Sequence, residues 1–246
     1  MIVMLLPVLA FCQDRPSFDV ASIKVDDQPD QSGILKPNPE GLTAHNVSVK
    51  SCILMAWRLK DYQISIPAAF QDSMNSPRYD IIARAAGPVS SDQLMLMFQS
   101  LLIERFHLDV HFERRDEPVF ALVVAKDGPK NLRDPAPGND PHEEPGIVDP
   151  TGARHWTLYN EPVSALIGLI SNGLSRPFID MTEIKGSYDF GFVVPAWNKA
   201  DGPLGDYVVA DVFPEVQRQL GLRVEARTAP IDVLVVDHID KIATAN

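Results

Sequence analysis

Apolar and polar positions along this chain follow an order that is written twice. In residues 42–126, LTAHNVSVKSCIL is followed by YDIIARA, LLIERFHLDVHFE and PVFALVVAK. In residues 156–238, WTLYNEPVSALIG is followed by YDFGFVV, VQRQLGLRVEA and PIDVLVVDH. Asn46 aligns with Asn160, Tyr79-Asp80 with Tyr188-Asp189, Leu108 with Leu222 and Pro118 with Pro230. Small shifts between the blocks are what surface loops absorb. The pattern predicts an α+β fold made by internal duplication of one unit, two helices on a mostly antiparallel sheet. The two copies are expected to pair about a pseudo-twofold axis, as dimer subunits do.

Within this frame the periodicities assign elements. Residues 16–25 alternate after Phe18 and predict a leading strand. Residues 26–41, with three prolines and two glycines, read as a loop. Ser48 is placed to cap a helix carrying Val49, Cys52, Ile53 and Ala56 at i, i+3, i+4 and i+7. Short strands are expected at 62–66 and 79–85. Ser90 with Gln93 forms a capping-box pattern before a helix with Leu94, Met97, Leu101 and Leu102 inward. Met95 and Met97 read as core packing. Two strands follow, near 108–113 and 119–125. Residues 127–155 hold five prolines between Pro135 and Pro150 and four acidic residues between Asp140 and Asp149. They read as an exposed connector without fixed secondary structure.

In the second copy, Asn160 is expected to cap a helix with Pro162 in its first turn and a stripe of Val163, Leu166, Ile167 and Ile170. Asn172-Gly173 would stop it. Strands near 177–180 and 188–194, a helix over 211–220 ending at Gly221, and strands near 222–227 and 231–237 complete the copy. PVFALVVAK and PIDVLVVDH are nearly continuous apolar runs, which places them centrally in a sheet. The expected organisation is therefore 1–12 as a signal segment, 13–126 as leading strand and first repeat, 127–155 as connector and 156–246 as second repeat.

Composition narrows the function classes. A formal net charge of −11, with no basic run beyond Arg114-Arg115, argues against nucleic acid, whose phosphates need clustered Lys and Arg. An acidic chain also gains nothing from an anionic membrane surface. MIVMLLPVLAFC resembles the apolar region of a secretory signal, too short to span a bilayer, with Ala10 and Cys12 before cleavage ahead of Gln13. A lipoprotein signal at Cys12 is the rival reading, with bulky Phe11 against it. The mature chain is expected to be exported, periplasmic or extracellular, without an integral membrane span. Cys52 would then be its one cysteine, a buried structural thiol.

The assembled blocks resemble a secreted, soil-associated family common in acidobacterial genomes and of unknown function. The residues that carry this are FDVASIK, the Gly41–Asn46 block, YDIIARA, LLIERFHLDVHFE, VFALVVAKDGPK, RPFIDMTEIKGSYDF, QLGL and VLVVDHIDK, which cover nearly all of the mature chain. The family's D-x-T-G turn stands here as Asp180-Met181-Thr182-Glu183, without the glycine. Related domains behind membrane metallopeptidase sensor modules imply an envelope sensing or binding role. The resemblance supplies no catalytic residue.

Candidate chemistry is sparse. Asp109, His111 and Glu113 share one face of a predicted strand, because side chains two apart point the same way. They carry metal-ligand chemistry, yet three ligands along one strand do not surround zinc tetrahedrally without help. Their counterparts Arg223, Glu225 and Arg227 make a solvated polar face the ordinary reading. His107 aligns with Gly221 and reads as a left-handed helix stop. Asp180 and Thr182 form a candidate turn in which the aspartate bonds its own backbone. Asp237 and His238 are adjacent and point to opposite faces. Trp57, Trp156 and Trp197 are consistent with a carbohydrate or peptide groove, against core or rim packing as the plainer account. Phosphate-loop, dinucleotide, zincin and nucleophile-elbow motifs are missing, so no cofactor is expected. The leading expectation is a non-catalytic envelope module binding an unidentified small ligand or envelope protein. The alternative is an envelope hydrolase, metal-dependent or not, using His111 with a carboxylate from elsewhere in the fold.

Overall fold

The computed structural model describes residues 15–26, 33–71, 76–138, 140–171, 173–241 and 243–244. The signal-like segment 1–12 lies outside them. The chain forms two compact units, one from residues 1–113 with 232–246, the other from 114–231.

The first unit contains β1 (Val20–Val25), β2 (Ile34–Asn38), β3 (Gly41–Ser48), α1 (Val49–Ala56), β4 (Ile64–Ser65), α2 (Ala68–Gln71), β5 (Arg78–Arg84) and α3 (Ser91–Phe106). Strands β1-β5-β3-β2 form an antiparallel sheet. The helix starts follow from their caps: Ser48 Oγ accepts from the Ser51 N–H at 3.1 Å, and Ser90 Oγ from the Gln93 N–H at 3.2 Å. Val49, Cys52, Ile53 and Ala56 of α1 pack with Phe98, Leu101, Leu102 and Phe106 of α3 on the sheet residues Leu42, Ala44, Tyr79 and Ile81. Burial pushes the Cys52 thiol up to about 12, which leaves it protonated and inert.

β6 (Asp109–Val124) begins in the first unit and ends in the second. The second unit continues with β7 (His142–Val148), β8 (Arg154–Glu161), α4 (Ala165–Ile170), β9 (Phe178–Asp180), β10 (Tyr188–Val194), α5 (Leu204–Tyr207) and α6 (Phe213–Leu220). β11 (Leu222–His238) then runs from the second unit back into the first. β7, β8 and β10 form an antiparallel sheet in the order β10-β8-β7. β6 and β11 are the inner strands of the order β4-β11-β6-β9. β4 joins β11 in parallel inside the first unit, and β9 joins β6 in parallel inside the second. Leu234 and Val236 of β11 lie in the first core, Leu122 of β6 in the second.

Several expectations change. The loop expected at 26–41 contains β2, which pairs with β3 from Ile34↔His45 to Asn38↔Gly41. The connector expected at 127–155 contains β7, an edge strand with a register shift, where proline is readily tolerated. The strand pairs expected around Pro118 and Pro230 are single long strands, because proline removes only its own N–H from a ladder and its φ suits extended backbone. Both long strands change unit along their length, so the compact units do not coincide with residues 13–126 and 156–246.

Asn160 caps no helix. It lies inside β8 at φ 51°, and α4 starts after Ser164 without a side-chain cap. Asn46 occupies β3 in the same way at φ 49°. Each marks a bulge where register shifts, between Ala44 and Val47 in one sheet and opposite Tyr188 to Phe190 in the other. The N–H that the bulge takes out of the ladder donates to a carboxylate across the strand: Asn46 to Asp80 Oδ1 at 3.1 Å, Asn160 to Asp189 Oδ1 at 2.8 Å. Asparagine suits both positions because it tolerates the left-handed region. Helix ends match as well: His107 stops α3 at φ 45° and Gly221 stops α6 at φ 64°.

Candidate functional site

The concave feature with the most coherent lining is a cleft of about 710 Å³ in the second unit. Its floor is one face of the β7–β8–β10 sheet. Arg154 and Trp156 are two apart on β8 and share that face. Directly opposite them lie Val194 and Phe192 of β10, and Val148 of β7 also faces Arg154. The same face continues inward to Leu158, which is fully buried in the core. Leu169 and Ile170 of α4 and the helical run Leu204, Tyr207, Val208 and Val212 form the apolar walls. Pro195 to Lys199 and Gly152 form the rim.

The helical wall owes its shape to one turn of π-helix, Val208–Val212, between α5 and α6. The Phe213 N–H bonds to the Val208 carbonyl, five residues back. Pro214 accounts for this: it has no N–H to offer Ala210, and its ring would strike that carbonyl in a regular α-turn. The wider turn avoids the clash and brings Val208 and Val212 to the cleft. Such turns recur at functional sites.

Two contacts hold the rim and the floor. The Tyr207 hydroxyl donates to the Pro195 carbonyl at 2.7 Å and lies near Trp197, ring centroids 6.3 Å apart. Burial raises the Tyr207 pKa, Asp211 adds to the rise and Arg154 opposes it, so the hydroxyl stays a donor at neutral pH. Gln219 of α6 brackets Val193 at the edge of β10, accepting from its N–H at 3.0 Å and donating to its carbonyl at 2.7 Å. Arg154 lies over the Trp156 ring with its guanidinium carbon 5.8 Å from the centroid. Gly146 of β7 makes room for it, since a Cβ there would stand 2.6 Å from Arg154 Cγ and 3.1 Å from Trp156 Cε2. Trp197 remains 39% exposed at the mouth.

The described lining residues include no Asp, Glu, His, Cys or Ser; the two charged groups among them are Arg154 and Lys199. This arrangement can stack an aromatic or apolar group, bury it, and attract an anion. Of the sequence-nominated tryptophans, Trp156 and Trp197 meet here, while Trp57 packs against the first core. Arg154, Phe192, Lys199 and Tyr207 were not singled out from sequence. The available signal was Trp156 and Phe192 in the two aligned blocks, each replacing a smaller residue, Leu42 and Ala83.

The polar strand residues lie elsewhere. Asp109, His111 and Glu113 are exposed on β6 in the first unit. His111 Nδ1 stands 2.6 Å from Asp237 Oδ2 of β11. Asp237 and His238 serve separate contacts: His238 Nε2 lies 3.1 Å from Asp240 Oδ1, and His107 Nδ1 lies 2.8 Å from Asp240 Oδ2. The His107 bond, helped by His238, holds the Asp240 carboxyl below its ordinary range. Among the described residues, no three His, Cys, Asp or Glu side chains are grouped to hold a metal ion. Asp180 and Thr182 are in the second unit. Asp180 Oδ1 accepts from the Thr182 N–H at 2.8 Å and hydroxyl at 2.7 Å, and Thr182 Oγ1 accepts from the Ile184 N–H at 3.2 Å. Glu183 sits at φ 60°, so the turn keeps a left-handed residue where the resembling family has glycine.

Among the described residues, no helix is long and apolar enough to cross a membrane. No curated protein and no solved structure matches the chain at a significant level. One family model, described as Protein of unknown function (DUF3738), matches residues 50–239. That span is most of the chain, and the protein belongs to this family of unknown function.

Proposed function

We propose that this protein is an exported, non-catalytic module of the cell envelope that binds a small ligand in the aromatic cleft of its second unit. The cleft carries the reading: about 710 Å³ is within the usual range for small-molecule sites, and the walls are apolar with a few convergent polar groups. The exported location rests on the signal-like residues 1–12 and on the resemblance to secreted, soil-associated acidobacterial proteins. The scaffold is read as an internal duplication. Its support is the recurrence of the asparagine bulge, the aspartate acceptor and the left-handed helix stop in both units.

Native mass spectrometry on the full chain, exported from a bacterial host, tests the reading. A reproducible extra mass that disappears in Trp197→Ala, with the melting curve unchanged, supports it. A bare chain, together with no thermal shift across a broad small-molecule panel, would remove its basis.

The alternative, an envelope hydrolase using His111 with a carboxylate, is favoured by the 2.6 Å contact between His111 and Asp237. It requires hydrolysis of an ester or peptide panel that is abolished in both His111→Ala and Asp237→Asn. Turnover that survives either change sets it aside.

A further inference from the structure

We infer that the ligand of the second-unit cleft is an amphiphilic anion: an apolar aryl or alkyl body with a single anionic head, of the carboxylate class. The inference rests on the cleft being a binding site and concerns what it selects. Three observations carry it. The first is charge. The chain as a whole carries −11, yet the charged residues among the described lining are Arg154 and Lys199, both cationic. A cleft of one sign with low-dielectric walls concentrates ions of the opposite sign.

The second is partnering. Arg154 and Lys199 make no ion pair with a carboxylate among the described residues, whereas Arg58, Arg218, Arg223 and Arg227 all do. Asp211 influences the Tyr207 hydroxyl but does not line the cleft. Arg154 is instead laid across Trp156, an arrangement that orients a planar guanidinium while leaving its N–H donors for a carboxylate. Gly146 is the residue whose missing side chain permits it.

The third is the body of the site. Phe192, Val194, Leu204, Val208 and Val212 offer surface to an apolar group and no hydrogen bonds to a sugar. The Tyr207 hydroxyl is already committed to the Pro195 carbonyl, and the Asn198 side-chain oxygen to the Ala200 N–H at 3.0 Å. A carbohydrate's hydroxyls would find donors in Arg154 and Lys199 but no carboxylate acceptor among the described lining residues, and hydroxyls buried unpaired are costly. An apolar body with one anionic end is matched at both ends.

The test is titration of the full chain with phenylbutyrate and with decanoate, followed by tryptophan fluorescence and calorimetry. The primary amide and the amine of the same bodies serve as controls. At least one carboxylate is expected to bind, with its amide weaker by about fivefold or more and its amine weaker still. Added salt should weaken the carboxylate and leave the amide unaffected. Arg154→Met keeps the aliphatic cover over Trp156 and removes the charge; Lys199→Met does the same at the rim. Each should bring the carboxylate toward the affinity of the amide. Equal binding of carboxylate and amide, or carboxylate binding indifferent to both substitutions, overturns the anionic assignment and leaves the cleft reading intact. So does an absence of carboxylate binding alongside a retained uncharged molecule in native spectra. An absence of binding with no retained molecule overturns both.

Discussion

The two units place the same strand pair in different company. In the first, Leu42 lies opposite Ala83, and both are buried beneath the helices. In the second, at the corresponding distance from the asparagine bulge, Trp156 lies opposite Phe192 on the floor of an open cleft. The backbone devices around these pairs match: a left-handed asparagine, an aspartate that accepts its N–H, a left-handed helix stop. What differs is the helical layer. A regular sixteen-residue α3 packs Phe98, Leu101, Leu102 and Phe106 inward, whereas a six-residue α4 and a π-widened helix flank the second sheet. The two sheets share this register, and the cleft lies where the covering helices differ.

The comparison can be broken most forcefully at the two long strands. Leu122→Ala and Leu234→Ala should each cost about 2–5 kcal/mol in denaturant melts, since both side chains are fully buried. Hydrogen exchange should show Leu122→Ala loosening the second unit and Leu234→Ala the first. Loosening that follows sequence blocks 13–126 and 156–246 would contradict the assignment of each strand end to its unit.

The helix stops come next. Gly221→Val should cost about 2 kcal/mol or more, combining the left-handed penalty with a Cβ that would lie 2.1 Å from the Gly128 carbonyl oxygen. His107→Gly, at the matching position, should change stability by under about 1 kcal/mol, because relief of the same penalty is offset by loss of the Asp240 contact. An unchanged midpoint in Gly221→Val would remove the equivalence. The bulges sharpen it further: Asp80→Ala and Asp189→Ala should each cost about 1–2 kcal/mol, similar in the two units, by stranding an N–H. The smallest effect is a gain. Glu183→Gly should stabilise by about 1 kcal/mol, measured as a rise in midpoint, by relieving φ 60°.

Much of this architecture was legible in the chain. The stripe Val49, Cys52, Ile53 and Ala56 and the caps Ser48 and Ser90 placed α1 and α3, because these signals are local. His107 was readable as a helix stop only through its alignment with Gly221. Asn160 misled, since asparagine serves both as a helix cap and as a left-handed residue, and only the strand opposite decides between them. β7 was hidden because edge strands carry little apolar alternation. The cleft was visible only as two tryptophans. Arg154 and Lys199 stand in ordinary polar surroundings in the sequence, and their importance arises from which strands and loops the tertiary fold brings beside them.

The course of β6 and β11 also sets an order of events during synthesis. Leu234 and Val236 close the core of the first unit, yet residues 114–231, which make the second unit, are synthesised before them. Until then its sheet residues Ile64 and Ser65 lack the β11 partner they have in the finished fold. Contacts that span so much sequence form slowly. A nascent chain of this design therefore leaves its first unit incompletely folded until the second has been synthesised.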